Sequence, residues 1–276
     1  MSLRHIRGET RPQFLPVLTA QAVGLCDLLS LDTDGNVVRA QDVTWGTAVA
    51  TPSAPTVAAS AASRGTALTN ALTGVKVSAN FPWGEGALSA AGTATPTAAF
   101  GLKVTLAALP ANALSWNVYV EDAAGSGTYK LQQVTTVSAG IIYVDSYGTG
   151  ATPPSAVLTD ATTVTQYAFA QAFVGVSGQV KTAAAARVLC NGADNIIRVD
   201  TSGLYLADVT SAAYEPGDYL GVKKATGNTL STTNALAAVA HESLAVARAA
   251  QGTAGSSVTS LLVEVLSRKL PAARVA

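Results

Sequence analysis

The chain has 276 residues, of which 12% are charged, and its 17 Lys and Arg are balanced by 17 Asp and Glu. That length can bury a core of native density as one large or two medium domains, two being the better fit; zero net charge gives no electrostatic footprint for a nucleic-acid backbone and argues against nucleic acid as a main partner. Ordinary proteins carry about 25% charged residues, so this surface is covered mainly by Ala, Thr, Ser and Gly, which suits packing against other protein.

Residues 1–16 carry Arg4, His5, Arg7 and Arg11, while Gly8 and Pro12 discourage regular structure. The segment reads as an extended N-terminal arm, either loose or docked on a neighbour. No apolar run follows it, and no later stretch approaches the roughly 20 apolar residues needed to span a bilayer. A soluble protein made in the cytoplasm, with no membrane partner, is therefore expected. From Val17 to Trp45, Leu25, Leu28, Leu29 and Leu31 lead into Asp32-Thr-Asp-Gly-Asn36, followed by Val37, Val38 and Val43. This predicts two strands around an Asp-Gly turn.

Gly46 to Ala62, with Pro52 and Pro55, reads as a linker that becomes an edge strand. Val75–Pro82 and Phe100–Leu109 alternate as strands, and Leu109–Val137 predicts a hairpin with its tip at Ala123–Thr128. In its first strand Trp116, Val118 and Val120 alternate with Ser115, Asn117, Tyr119 and Glu121, the period of a half-buried strand. Ile141–Val144 is a further strand and Gly148–Pro154 a second linker.

Thr162–Val176 is again apolar and alternating through Tyr167, Phe169 and Phe173. Ile196–Asp200, the turn Thr201-Ser-Gly203 and Leu204–Leu206 form a strand-turn-strand unit, and Glu215-Pro-Gly-Asp218 turns into a strand ending at Val222. Leu230–Gln251 fits a short turn or helix and then a strand, Val258–Leu266 is the final strand, and residues 271–276 are a loose tail. The pieces before and after the hairpin region are each too short to close a core, but together they supply enough strands for one.

Two resemblances sharpen this reading. Ser53-Ala-Pro55, Asn80-Phe-Pro-Trp-Gly-Glu-Gly86, Ser115-Trp-Asn-Val-Tyr-Val120 and Gly127-Thr-Tyr-Lys130 together resemble a fibronectin type III or related immunoglobulin-like module, over roughly Thr51–Ser155. The flanks, Val17–Ala50 and Ala156–Leu270, resemble small β-rich proteins of tailed-phage head gene clusters that look like capsid decoration or cement proteins. That second likeness rests on Phe169–Val176, Ile197–Leu206, Glu215-Pro-Gly-Asp218, Glu242–Arg248 and Leu262-Val-Glu-Val265. The expected fold is all-β: a discontinuous small β-barrel or sandwich base domain, residues 17–50 plus 156–270, with an inserted immunoglobulin/fibronectin-III-like β-sandwich at 51–155.

Residues that could carry chemistry are few. His241-Glu242-Ser243 are three catalytic residue types, but sequence neighbours diverge on a strand or a helix and cannot form a local triad. His5 is the only other histidine. Gly24-x-x-Asp27 and Gly175-Val-Ser-Gly178 lack phosphate-loop spacing. Asp32 with Asp34, and Asp194 with Asp200, sit beside turn residues, and a calcium loop starting at Asp32 would have Val37 where Gly is required and Val43 where Glu is required. Cys26 and Cys190 are the only cysteines and read as buried thiols, one bridge being the alternative. Trp83, in a predicted loop, is either an exposed anchor for carbohydrate or protein or a cap on the sheet end, whereas Trp116 belongs to the core.

No catalytic, metal or cofactor residue is expected. The resemblance implies a non-enzymatic virion protein on the outer surface of the capsid, bound to the phage major capsid protein and homo-oligomeric, with a trimer compatible with threefold positions. Arg4, His5, Arg7 and Arg11 are the expected capsid contacts. The alternatives are a tail or baseplate adhesion module whose sandwich binds host-surface glycans, and a glycan-acting enzyme with an accessory fibronectin module.

Overall fold

A computed structural model describes residues 3–7, 11–18, 20–43, 45–61, 68–97, 100–155, 160–182, 195–225 and 229–268. The chain forms two compact units: Met1–Ala48 with Asp160–Ala276, here the base, and Val49–Thr159, the insertion, where the sequence suggested 51–155. The base begins with β1 (Leu3–Arg7), β2 (Pro12–Pro16), β3 (Leu28–Leu31) and β4 (Val37–Arg39). The insertion holds β5 (Thr56–Ala59), β6 (Thr73–Phe81), β7 (Gly84–Glu85), β8 (Gly92–Ala94), β9 (Leu102–Thr105), β10 (Ser115–Glu121), β11 (Tyr129–Thr135) and β12 (Ile141–Val144). The base resumes with α1 (Ala161–Gln171), β13 (Phe173–Ser177), β14 (Ile196–Asp200), β15 (Leu204–Ala212) and β16 (Tyr219–Val222), and ends with β17 (Leu236–Ala238), β18 (Ala247–Ala249) and β19 (Val258–Val265). The fold is all-β apart from α1 and short 3-10 turns among the described residues.

In the base, β15, β17, β16, β18 and β19 follow one another in hydrogen-bonded order, and β15 also pairs with β19, so five strands close into a barrel. Closure leaves no free edge in the ring. A second sheet runs β2-β14-β13-β3-β4, and a parallel bridge from Val17 to Val37 draws the end of β2 toward β4. Leu15, Val17, Val23, Leu29, Val37, Val174, Ile197 and Val199 fill it. Both flanks of the insertion contribute to both cores. Asp27 shows how they are sewn together: its carboxylate accepts from Gly24 N at 2.7 Å and from Asn234 Nδ2 at 2.8 Å, across 207 residues of chain.

The predicted N-terminal arm is instead part of this unit. β1 lies antiparallel on β15, with Leu3 opposite Ala207 and His5 opposite Tyr205, and Leu3 is buried in the barrel core. β2 pairs along its whole length with β14. Pro12 does not prevent this, because it opens an edge strand, where a missing N–H costs no ladder bond.

The apolar run after residue 160 is a helix rather than a strand. Asp160 caps it, accepting from Thr163 N at 2.8 Å and Thr163 Oγ1 at 2.5 Å. Its buried face includes Thr163, Thr165 and Gln166, which defeats a reading by hydrophobic period. Those polar groups are satisfied from other elements: Gln166 Nε2 donates to Val222 O at 2.6 Å, and Thr165 Oγ1 accepts from Gly46 N at 2.9 Å. The predicted strand-turn-strand at 196–206 is present as β14, a turn and β15, and the turn carries the chain from one sheet to the other. Leu230–Gln251 contains two short strands, β17 and β18, around a 3-10 turn.

The insertion is a β-sandwich of two sheets, β11-β10-β6-β7 with β8 beside β6, and β12-β9-β5. Val75, Val77, Phe81, Leu102, Val104, Trp116, Val118, Val120 and Val144 are among its buried apolar residues. β10 is buried on both faces, correcting the half-buried expectation. Its polar face is sealed by hydrogen bonds: Glu85 accepts from Ser78 Oγ and from Tyr119 OH at 2.7 Å. Glu121 accepts from Gly74 N at 2.8 Å, Gly127 N at 3.0 Å and Gly125 N at 3.2 Å, fixing the hairpin tip. The second linker also packs, because Leu131 N donates to Ala151 O and Gly150 N to Leu131 O, which covers the outer edge of β11.

Candidate functional site

The residues singled out in the sequence are dispersed. Arg4 is exposed on β1 beside Leu206, whereas His5, on the opposite strand face, meets the Tyr205 ring edge-on at 5.4 Å. Arg11 is exposed, and its carbonyl accepts from Thr201 N and Oγ1. The Arg7 side chain lies outside the described residues. Arg4 and His5 thus diverge, and Arg11 is tied to the turn after β14, so these do not form one basic patch.

Trp83 is not an exposed anchor. It is 0% exposed and stacks on Phe81 at 4.9 Å, in the turn between β6 and β7. Trp116 is buried as predicted. The tryptophan that does reach solvent is Trp45 in the base, 41% exposed.

The chemical candidates are engaged in structure. Asp32 Oδ1 accepts from the backbone of Asp34 at 2.9 Å and Asn36 at 2.7 Å, the geometry of an Asx turn. Asp200 pairs with Arg198 at 2.9 Å, and Asp194 lies outside the described residues. In the His241-Glu242-Ser243 run, Glu242 pairs with Arg248 at 3.3 Å and accepts from Tyr219 OH at 3.3 Å, while the Ser243 carbonyl accepts from Gln171. Arg248 also lies over the Tyr219 ring. This run is a hydrogen-bonded surface corner. Cys26 is a free thiol, raised from its ordinary value by burial, and Cys190 lies outside the described residues. No group of three His, Cys, Asp or Glu able to hold a metal occurs among the described residues, nor any helix long and apolar enough to cross a membrane.

The feature that sequence reasoning missed is a set of exposed apolar side chains on β2 and on the loops beside the smaller sheet of the base. Phe14, Leu18, Leu25 and Val180 are each half or more exposed. Backbone pairing brings their segments side by side. Val23 bridges Lys181, Cys26 N donates to Ser177 O, and Phe14 stands opposite Arg198, whose carbonyl accepts from Gly178 N. Lys181 fixes the arrangement: it is 2% exposed, and its ammonium donates to the carbonyls of Gln21 at 2.9 Å and Leu18 at 3.2 Å. Desolvation lowers its pKa. A lysine spent on two loop carbonyls holds the backbone beneath Leu18 in place. A shallow groove of about 570 Å³ adjoins it, between residues 18–22 and β4. The individual residues gave no sequence signal, because a Leu in a turn and a Leu in a core look alike until pairing is known.

Comparison with protein-family models, with characterised proteins and with solved structures finds no match.

Proposed function

We propose that this chain is a non-enzymatic structural protein of a tailed-phage virion that decorates and stabilises the head. The base binds the major capsid protein lattice, the inserted sandwich is carried on the outer surface, and copies associate as homo-oligomers, a trimer suiting threefold positions. The observation that carries the reading is the set of half-exposed Phe14, Leu18, Leu25 and Val180, on β2 and on the loops that adjoin its sheet. Covering four half-exposed side chains of this size contributes on the order of 4 kcal/mol before the costs of association. The low charge and the β-rich likeness of the flanks point the same way. Stabilisation is by mass action: a protein that binds only the assembled shell lowers its free energy by the binding free energy at each site.

The adhesion alternative loses the residue on which it rested, since Trp83 is buried. The test is sedimentation of purified protein with empty heads, together with the melting temperature of those heads. Co-sedimentation and a raised melting temperature are expected, and L18D or V180D should abolish both while leaving the base folded. Wild-type protein that stays in the supernatant overturns the proposal.

A further inference from the structure

Beyond head binding, the base holds a second surface feature of different chemistry. A groove of about 460 Å³ opens beside Trp45, walled by that indole, Leu31 and Ala168. Ligand pockets span about 300–1,000 Å³, so it admits one or two sugar rings. Its polar rim is Asp32, Thr33 and Gln171. No basic side chain lines it, and the last-turn carbonyls of α1 are taken up by Ser30 Oγ, Leu31 N and Ala172 N, so the acceptors it offers are side chains: a carboxylate, a side-chain amide and a hydroxyl.

A flat aromatic wall with an acceptor-rich rim fits two ligand chemistries, a polyhydroxylated ring or a cation. The state of Asp32 decides between them. Its carboxylate already accepts from Asp34 N, Asn36 N and Asn36 Nδ2, so most of its acceptor positions are filled within its own turn, leaving room to accept from one more hydroxyl. Gln171 donates its amide N–H to Ser243 O at 2.9 Å, which anchors the amide and leaves its oxygen to accept. Neutral hydroxyl groups match such fixed acceptors, and the C–H face of a pyranose matches an indole face.

We propose that this groove is a binding site for a neutral saccharide, with one pyranose ring stacked on Trp45 and its hydroxyls donating to Asp32 and Gln171. The other two tryptophans, Trp83 and Trp116, are buried, so intrinsic fluorescence changes on ligand addition report Trp45. The experiment titrates the full-length protein with maltotriose, cellotriose and N,N′-diacetylchitobiose, without capsids, so its outcome is independent of the head-binding proposal. At least one should give a saturable change with a Kd of about 0.1–5 mM, ordinary for a shallow single-ring site. W45A should weaken binding more than about tenfold and Q171A about threefold, while W45F retains part of it because a smaller ring still stacks.

The melting temperature of each variant, followed by circular dichroism, separates loss of the site from loss of the fold. The proposal is overturned if none of the three sugars binds up to about 20 mM. It is equally overturned if W45A binds as wild type does, or if Nα-acetyl-lysine methylamide saturates the Trp45 signal and the sugars do not.

Discussion

Gly46→Ala tests the joint that holds the two flanks of the base together. Gly46 is buried against α1, and a Cβ at this position would stand 2.3 Å from Ala161 O, 2.3 Å from Thr165 N and 2.6 Å from Thr165 Oγ1. Two of those three atoms are helix backbone and cannot swing aside, so the segment carrying Gly46 must move off by about 1 Å to reach van der Waals separation. Overpacking of this kind costs about 1–3 kcal/mol. The move also breaks the 2.9 Å bond from Gly46 N to Thr165 Oγ1, worth about 1 kcal/mol in a buried setting. A total of about 2–4 kcal/mol should lower the melting temperature of the base by roughly 5–15 °C. Differential scanning calorimetry of G46A beside T165V separates the two causes, since T165V loses the bond without the clash and should cost only about 1 kcal/mol. If G46A melts within about 1 °C of wild type, the close approach inferred for Gly46 is wrong.

Three further substitutions probe other joints. Glu121→Ala should destabilise the insertion by about 2–3 kcal/mol in urea titration, because three backbone N–H groups lose their acceptor; a loss under about 0.5 kcal/mol would mean that the hairpin tip does not depend on it. Tyr205→Phe should be neutral or stabilising by up to about 1 kcal/mol, since the buried hydroxyl has no hydrogen-bond partner among the described residues, and clear destabilisation refutes this. Asp160→Ala should cost about 1 kcal/mol at pH 7 through loss of the α1 cap, while D160N retains most of it. The Asp160 carboxyl is pushed up by burial, but the Thr163 hydroxyl and N–H and the Lys224 ammonium outweigh this and hold it below 3.8. Its stabilisation is therefore full above the unfolded pKa and lost as pH falls through the lower folded value, so the gap between D160A and wild type should close under acid. A gap unchanged at pH 2 to 3 contradicts that assignment.

The parts of the fold legible in the sequence are those in which local chemistry and tertiary pairing agree. Asp32-Thr-Asp-Gly-Asn36 turns as predicted because the Asp32 carboxylate closes it and Gly35 takes a φ of 82°. Glu215-Pro-Gly-Asp218 turns because Gly217 takes a φ of 92° and Asp218 N reaches back to Glu215 O. Ile141–Val144 alternates, and its exposed and buried positions alternate with it.

Legibility fails where a partner far along the chain supplies what the local sequence lacks. The α1 segment carries three Thr and one Val among its eleven residues, yet Asp160, Gly46 and Val222 satisfy its polar face and make a helix of it. β10 shows Ser, Asn, Tyr and Glu on one face, and that face is buried, with the Tyr119 hydroxyl donating to Glu85 and the Glu121 carboxylate accepting from the backbone of Gly74 and the hairpin tip. Of the candidate site residues, Trp83 was misplaced for the same reason, and Trp45 carried no sequence signal at all. Trp83 is in a turn, but Phe81 lies beneath it, and Trp45 is exposed beside α1, an element the apolar alternation did not reveal.

The contact of Gly46 with Ala161 also bears on why this base accommodates an insertion. The chain leaves the base at Ala48 and re-enters it at Asp160, only a few residues from two backbones already in van der Waals contact. The exit and return are therefore fixed by the base itself, through Gly46 on one side and the capped first turn of α1 on the other. An unstructured loop as long as the insertion would cost about 4 kcal/mol in closure entropy, and a turn of a few residues much less. Joining Ala48 to Asp160 through a short Gly-Ser turn should accordingly leave the base folded, with a melting temperature equal to or above that of its transition in the full chain. If the proposed head binding resides in the base, the excised protein should also sediment with heads as the full chain does. A base that unfolds on excision shows that the insertion contributes to its stability, whereas a folded base that no longer binds heads places the capsid contact in the sandwich.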